Sequence, residues 1–202
     1  MANRSLNGGL RWRGNLTAPT AVSPPIILVP IADDYGTALY IGDPVKIATT
    51  GYLQAASAGD TLYGVFAGMD QYYDGTVIRK GGKYPASQSY DTNFERQSIA
   101  RVIPAFGQVF EMDTDDVAAS YDTYAEHLAF RGENCEWLAG TAVGDHSGAL
   151  LDISTHATTN TLSLSLHAIA SHVDHDFAAA RVKWLVTINL LSKPAAGSTT
   201  GT

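Results

Sequence analysis

Hydrophobic and polar residues alternate in short runs along this chain, and turn residues separate the runs every few positions. The stretch 38–68 shows this best: strand-forming residues at positions 39, 41, 45 and 47 are interrupted by Gly42-Asp43-Pro44. Pro44 fixes its own φ and disfavours the helical region for Asp43, so a helix through this point is unfavourable. Gly51 and Ala58-Gly59-Asp60 add turn signals at short spacing. The stretch therefore predicts a small antiparallel barrel or sandwich.

Further strands are predicted on both sides of this stretch. Residues 26–32 form an apolar run that Pro30 places at a sheet edge, and Asp74-Gly75 is a hairpin signal. Residues 99–112 have the pattern of two strands split at Pro104, and the final strand is expected over 180–190. The clearest alternation is in residues 161–167, where Leu162, Leu164 and Leu166 would share one face.

One short helix is predicted after residue 112. The acidic residues Asp113, Asp115 and Asp116 would cap it, and a single apolar face would contain Val117, Tyr121, Tyr124 and Leu128. The predicted fold is thus mainly β, an antiparallel β-barrel or sandwich (jelly-roll-like or a small barrel). It would have an extended N-terminal arm and at most one or two short helices.

The predicted organisation is an arm over residues 1–25, a β-rich body over 26–191 and a flexible tail over 192–202. The arm is polar and Gly-rich. It is interpreted either as a disordered terminus or as a segment that orders on a neighbouring subunit, with Trp12 between Arg11 and Arg13 as its anchor. Residues 79–95 are basic and Gly-rich with scattered tyrosines, and they are predicted to form a surface loop inserted into the body.

Charge is unevenly distributed along the 202 residues. The net charge is −7; residues 1–32 contain three arginines and no acid, which leaves 10 basic and 20 acidic residues in the rest of the chain. An acidic body argues against nucleic acid as the main partner, because binding to phosphates needs a basic face. No run approaches the length of a membrane span, and the N-terminus lacks the apolar core of a signal peptide.

Candidate chemistry is sparse. His172, Asp174, His175 and Asp176 have metal-ligand spacing, but a polar turn explains them as well, and the acidic residues 113–116 lack the pattern of a calcium loop. Lys80-Gly-Gly-Lys83 lacks phosphate-loop spacing, and Ser147 lies in no nucleophile elbow. The single cysteine, Cys135, lies near two glutamates that should raise its pKa, so an inert thiol is expected. No enzymatic activity, metal or cofactor is predicted.

Four separated segments that keep their order resemble the capsid cement or decoration proteins of tailed bacteriophages. They cover roughly residues 38–190 and are Gly42-Asp43-Pro44-Val45 through Gly64-Val65-Phe66-Ala67-Gly68, Gly107-Gln-Val-Phe-Glu-Met112, Ser147-Gly148 with Leu151-Asp152 before an alternating strand, and a closing strand that ends in Ile188-Asn189. The resemblance implies a structural virion protein on the outer surface of the phage head, made in the bacterial host cytoplasm. Its expected partners are the major capsid protein and further copies of itself, as a homotrimer, with neither nucleic acid nor membrane.

Candidate capsid-contact residues follow from composition and expected exposure. They are Arg4, Arg11, Trp12, Arg13, Arg79, Lys80, Lys83 and Tyr84. Two alternatives remain: another virion component, such as a tail, neck, head-fibre or receptor-binding β-domain, or a glycan-binding or glycan-processing protein. In the second alternative, sugars would stack on tyrosines at positions 72, 73, 84 and 90.

Overall fold

The computed structural model describes residues 8–18, 20–88, 97–115, 121–172 and 175–191. Within them the chain is mainly β, with one short helix, which confirms the predicted fold class. In chain order the strands are β1 (Arg11–Asn15), β2 (Ile27–Ile31), β3 (Pro44–Ile47), β4 (Leu53–Ala55), β5 (Gly64–Tyr73), β6 (Ile78–Gly81), β7 (Ser98–Pro104), β8 (Gln108–Asp113), β9 (Asn134–Leu138), β10 (Leu150–Ala157), β11 (Leu164–Ile169) and β12 (Lys183–Ile188). The helix, α1 (Tyr124–Ala129), lies between β8 and β9.

Five strands close a small barrel. They lie in the order β3-β4-β2-β7-β5, and β3 pairs back with β5; β6 extends the sheet from β5 outside this ring. The pairings are antiparallel except that of β2 with β4. Alternate apolar residues of these strands fill the interior, together with residues from the connections: Val29, Ile31, Leu39, Val45, Leu53, Phe66, Met69, Tyr84, Ala100 and Val102.

The turn before β3 depends on close backbone packing. Gly42 has a φ of 97°, and a Cβ atom at this position would lie 1.8 Å from the carbonyl oxygen of Gly8. The Asp43 carboxylate accepts a hydrogen bond from the Tyr40 amide at 2.8 Å, and the Asp43 amide donates back to Tyr40 O at 2.9 Å. The predicted Gly42-Asp43-Pro44 turn is therefore confirmed, and the segment that leads into β1 packs against it.

The second sheet contains six antiparallel strands in the order β1-β8-β12-β11-β9-β10. Its far edge curls back, because the Asp115 amide donates to Leu151 O at 2.9 Å and so connects the end of β8 to β10. The strict alternation at 161–167 is confirmed for Leu164 and Leu166, which are fully buried on β11, whereas Leu162 precedes the strand.

Two strands connect the core of the barrel with the core of the second sheet. On β5, Phe66 faces the barrel interior while the adjacent Val65 packs with the residues of the second sheet. On β7, Val102 faces the barrel interior and the adjacent Ile103 packs with the residues of the second sheet. Strands β5 and β7 therefore contribute to both cores, as the two-residue period of a strand allows.

Two predicted boundaries are wrong. Residues 11–15 are not part of a separate arm, because β1 pairs with β8 and forms an edge of the second sheet. The predicted loop 79–95 begins in a strand, because β6 pairs with β5, and residues 89–96 lie outside the described residues. In both places polar or basic residues on an exposed sheet edge lacked the alternation expected of a strand. Residues 1–7 and the tail 192–202 are not described.

The predicted helix exists but begins later and turns a different face inward. Thr123 is its N-cap, and Thr123 and Glu126 form a reciprocal capping box. Tyr124 and Leu128 are exposed, whereas the buried helix residue is His127. Of the predicted caps, Asp113 belongs to β8 and Asp116 lies outside the described residues.

Candidate interaction surface

The hairpin formed by β5 and β6 projects from the barrel. Gln71 is the last residue of β5 that pairs with β7, but β5 continues to Tyr73 and turns into β6. Beyond the turn, Val77 and Ile78 remain 46% and 36% exposed although both are large apolar residues. The hairpin thus exposes two adjacent apolar residues just after its turn, which makes it a candidate contact surface.

The turn of this hairpin is fixed by Asp74. One oxygen of its carboxylate accepts the Thr76 and Val77 amides at 3.0 and 2.9 Å, and the other accepts from Arg79 Nε. The Val77 amide, then the Arg79 guanidinium and the Thr76 amide lower the pKa of Asp74 to about 2. The turn is therefore held by hydrogen bonds within the hairpin itself.

The hairpin also carries positive charge on an acidic body. Lys80 is exposed and has no ion-pair partner among the described residues. Lys83 Nζ lies 3.9 Å from Asp145 Oδ1, a half-exposed pair, and 6.0 Å from the centre of the Tyr40 ring. Arg79, Lys80 and Lys83 are thus exposed or half-exposed cations on or just after the hairpin, and Arg79 and Lys83 lie beside acidic side chains.

Tyr84 is not exposed with these cations. It is fully buried in the barrel core, where its backbone exchanges hydrogen bonds of 3.0 and 2.8 Å with Leu39. Its ring packs against Tyr35 at 6.1 Å. The expectation that Tyr84 contacts a partner is contradicted, because the chain after β6 turns back onto the barrel.

Arg11 and Arg13 have partners within the protein. Arg11 Nη2 lies 2.8 Å from both Glu111 Oε1 and Asp113 Oδ1, and Arg13 contacts both oxygens of Glu111 at 2.9 and 3.0 Å. The guanidinium of Arg13 remains half-exposed, so part of it faces solvent. The arginines primarily attach β1 to β8. Arg4, also predicted as a contact, lies outside the described residues.

Trp12 is held in the same way. Its Nε1 donates to Gln108 Oε1 at 2.7 Å, and its ring packs against the core of the second sheet. It therefore anchors β1 on its own protein in the conformation described, in contrast to the predicted anchoring on a neighbour.

Glu111 lies at the centre of this ion-pair network and is almost fully buried. Burial favours its neutral form, but hydrogen bonds from Arg13 and His172 and the charges of the two arginines outweigh burial and lower the pKa of Glu111. The carboxylate is therefore ionised at neutral pH, and its charge is satisfied by the arginines.

The candidate metal ligands do not assemble a site in the described residues. His172 Nε2 lies 3.2 Å from Glu111 Oε2, and the His172 and His175 rings are 5.3 Å apart. No group of three or more histidine, cysteine or acidic side chains with metal-binding geometry occurs in the described part of the chain. Asp174 and Asp116, from the two candidate clusters, are not described, and Asp113 bonds Arg11.

A carboxylate–imidazole–phenol chain, which the sequence did not predict, links three separate segments. Glu133 Oε2 lies 2.6 Å from His156 Nδ1, and His156 Nε2 lies 3.3 Å from Tyr121 Oη. Such a chain can pass a proton from the phenol toward the carboxylate. The ring centres of Phe130 and His156 are 4.0 Å apart, and Tyr121 packs against the core of the second sheet. This packing favours a structural role for the three residues. No sequence spacing connects the three residues.

Cys135 is inert, as predicted, but for a different main reason. Its side chain is fully buried, and burial raises the pKa of the thiol to about 12, with Asp152 adding to the effect. Its Sγ donates to the Asp152 carbonyl at 2.7 Å. Ser147 is likewise buried and occupied, since it accepts the Ala149 amide at 3.0 Å and hydrogen-bonds Asp43.

The tyrosines proposed for sugar stacking do not form one exposed platform. Tyr84 is buried, Tyr72 packs against the barrel core, and the Tyr73 hydroxyl donates to Gly75 O at 3.0 Å. Tyr90 lies outside the described residues. This arrangement weakens the glycan-binding alternative.

In the part of the chain that the structure describes, no helix has the length and hydrophobicity that crossing a membrane requires. No protein-family model matches the chain, and no curated protein and no solved structure matches it either.

Proposed function

We propose that this chain is a structural virion protein of a tailed bacteriophage, a capsid cement or decoration protein. It binds the outer surface of the phage head and connects neighbouring major capsid subunits, and by analogy it does so as a homotrimer. A protein that binds the assembled shell more tightly than free subunits stabilises that shell by mass action. The function is binding, without catalysis.

The observation that carries the proposal is the ordered resemblance over residues 38–190. Its first segment forms β3, β4 and the start of β5; the second forms β8; the third precedes and enters β10; and the closing segment forms β12. The resembling segments therefore occur in the strands of both the barrel and the second sheet. The projecting hairpin supplies an exposed contact surface with Val77, Ile78 and Lys80.

The second candidate is another virion component, such as a tail, neck or head-fibre protein or a receptor-binding β-domain. The same exposed hairpin on a β-rich body would serve such a protein. Copy number separates the two, because a cement protein occupies every equivalent junction of the shell and a vertex or tail protein occupies few positions.

The test is a sedimentation assay with expanded phage heads that lack the protein. Purified protein is mixed with the heads, the heads are pelleted, and the bound copies per head are counted at saturation. We expect hundreds of copies per head, together with a higher temperature of head disruption. A few copies per head would favour the second candidate, and no binding would overturn both head-surface roles.

A further inference from the structure

Strand β6 is an open edge of the barrel sheet. It pairs with β5, and no other described strand pairs with its outer side. The Asp74 amide donates to Val77 O at 3.2 Å, so residues 74 and 77 form a hydrogen-bonded pair at the turn. Hydrogen-bonded and non-hydrogen-bonded pairs alternate in an antiparallel ladder, and Ile78 pairs with Tyr73 directly beside this turn, so the backbone groups of Ile78 face away from β5.

This edge is ordered before any partner arrives. The Asp74 carboxylate fixes the turn through two amides, and the Tyr73 hydroxyl bonds Gly75 O across it. A preformed strand loses little conformational entropy on binding, which favours its use as a docking edge. Sheet edges of this kind are extended by strands from other proteins.

The side chains of β6 determine which strand fits. Ile78 is an exposed β-branched residue with high strand propensity, and Lys80 follows it on the same face as an exposed cation without a described ion pair. Antiparallel pairing of two copies of β6 would bring Arg79 and Lys80 of one copy close to those of the other. Like charges across a strand pair are destabilising, so a second copy is disfavoured and an acidic strand is favoured.

We propose that β6 binds a partner by strand addition, accepting an extended acidic segment on the outward backbone groups of Ile78, beside the exposed side chain of Lys80. The inference rests on the proposed function, in which that segment belongs to a subunit of the capsid shell. The exposed lysine thus has two effects, since it repels β6 of a second copy and attracts an acidic strand.

The experiment compares Ile78→Pro with Ile78→Ala in the head-sedimentation assay. Both variants shorten the side chain, but only proline removes the outward amide, and edge strands tolerate proline at such positions. We expect Ile78→Pro to bind heads about tenfold more weakly than Ile78→Ala, the loss of roughly one interfacial hydrogen bond. Lys80→Glu should also weaken binding, with a loss that shrinks as salt is raised.

Hydrogen exchange on the wild-type protein gives a second measurement that does not depend on the folding of a variant. The amide of Ile78 should exchange slowly on heads and rapidly in the free protein. Equal binding of the proline and alanine variants, or unchanged exchange on heads, would overturn strand addition alone. Concentration-dependent protection without heads would show that a second copy occupies the edge and would also overturn it. Wild-type protein that fails to bind heads would overturn both the inference and the proposed function.

Discussion

A buried carboxylate is stable as an anion only where cations and hydrogen bonds replace the water that it has lost. Glu111 meets this requirement through Arg11 and Arg13, which come from a segment about a hundred positions earlier in the chain. The sequence showed the arginines as an isolated basic group, which left a disordered terminus and an external partner as the two interpretations. Their actual partner could not be predicted, because nothing in the local pattern indicates that β1 lies beside β8.

Replacing Glu111 with Gln should lower the free energy of unfolding by about 2–3 kcal/mol. The substitution keeps the shape of the side chain but leaves Arg13 without its buried counter-charge and Arg11 with Asp113 alone. Urea unfolding would measure the change. Arg79→Gln is the matched control, because its pair with Asp74 is solvent-exposed and should contribute much less to stability. Equal losses in the two variants would contradict the role assigned to Glu111.

The stabilities of the wild-type protein and of Glu111→Gln should also respond differently to acid. The pKa of Glu111 is lowered from an ordinary value of 4.5, so its contribution to stability is present above that pH and is lost as pH falls through the folded-state pKa. The stability difference between wild type and Glu111→Gln should therefore shrink as the pH is lowered below about 4.5. Urea midpoints measured from pH 7 down to pH 3 would test this, and a difference that stays constant over the range would refute it.

Cys135 should react slowly with thiol reagents in the native protein. Its side chain is fully buried and its pKa is raised to about 12, so neither access nor thiolate is available. In urea the same thiol should react at the rate of a free cysteine, which provides the control within one chain because this is the single cysteine. A spectroscopic thiol assay would measure the rate of labelling. Rapid labelling under native conditions would show that the core around β9 is open.

At the level of elements, turn chemistry was predictable and edge strands were not. Gly42-Asp43-Pro44 and Asp74-Gly75 specify local backbone geometry, and both turns lie where the sequence predicted them. Strands β1 and β6 are recognisable only from their neighbours, because arginine, lysine and glycine interrupt the apolar alternation expected of a strand. The exposure of Arg79 and Lys80 was expected from composition, but Tyr84 was wrongly grouped with them because burial depends on the path of the chain after β6.

Gly42→Ala should destabilise the protein more than Gly51→Ala. Both glycines have positive φ, 97° and 88°, so both substitutions introduce backbone strain of about 1 kcal/mol or more. At Gly51 an added Cβ meets nothing within 4 Å, whereas at Gly42 it would lie 1.8 Å from the Gly8 oxygen. The extra loss at Gly42 should be visible in urea midpoints. Equal midpoints for the two variants would indicate that the segment before β1 shifts away without cost.

For the whole molecule, the question is whether the barrel and the second sheet are one folding unit. The sequence predicted a single β-rich body but not its division into two sheets, because pairing between distant strands leaves no local pattern. The shared strands β5 and β7 place Val65 and Ile103 in the core of the second sheet and the adjacent Phe66 and Val102 in the barrel. Loss of the barrel would therefore expose part of the other core.

This coupling predicts that a cavity inside the barrel destabilises the second sheet. Val45 is fully buried in the barrel core, and Val45→Ala should cost about 2 kcal/mol. The three tryptophans, Trp12, Trp137 and Trp184, lie on β1, β9 and β12, so their fluorescence reports on the second sheet. If the sheets unfold together, the tryptophan midpoint in urea shifts by the same amount as the midpoint from far-ultraviolet circular dichroism, which reports on both. An unchanged tryptophan midpoint would mean that the barrel unfolds alone, and the shared strands would then fail to transmit the loss.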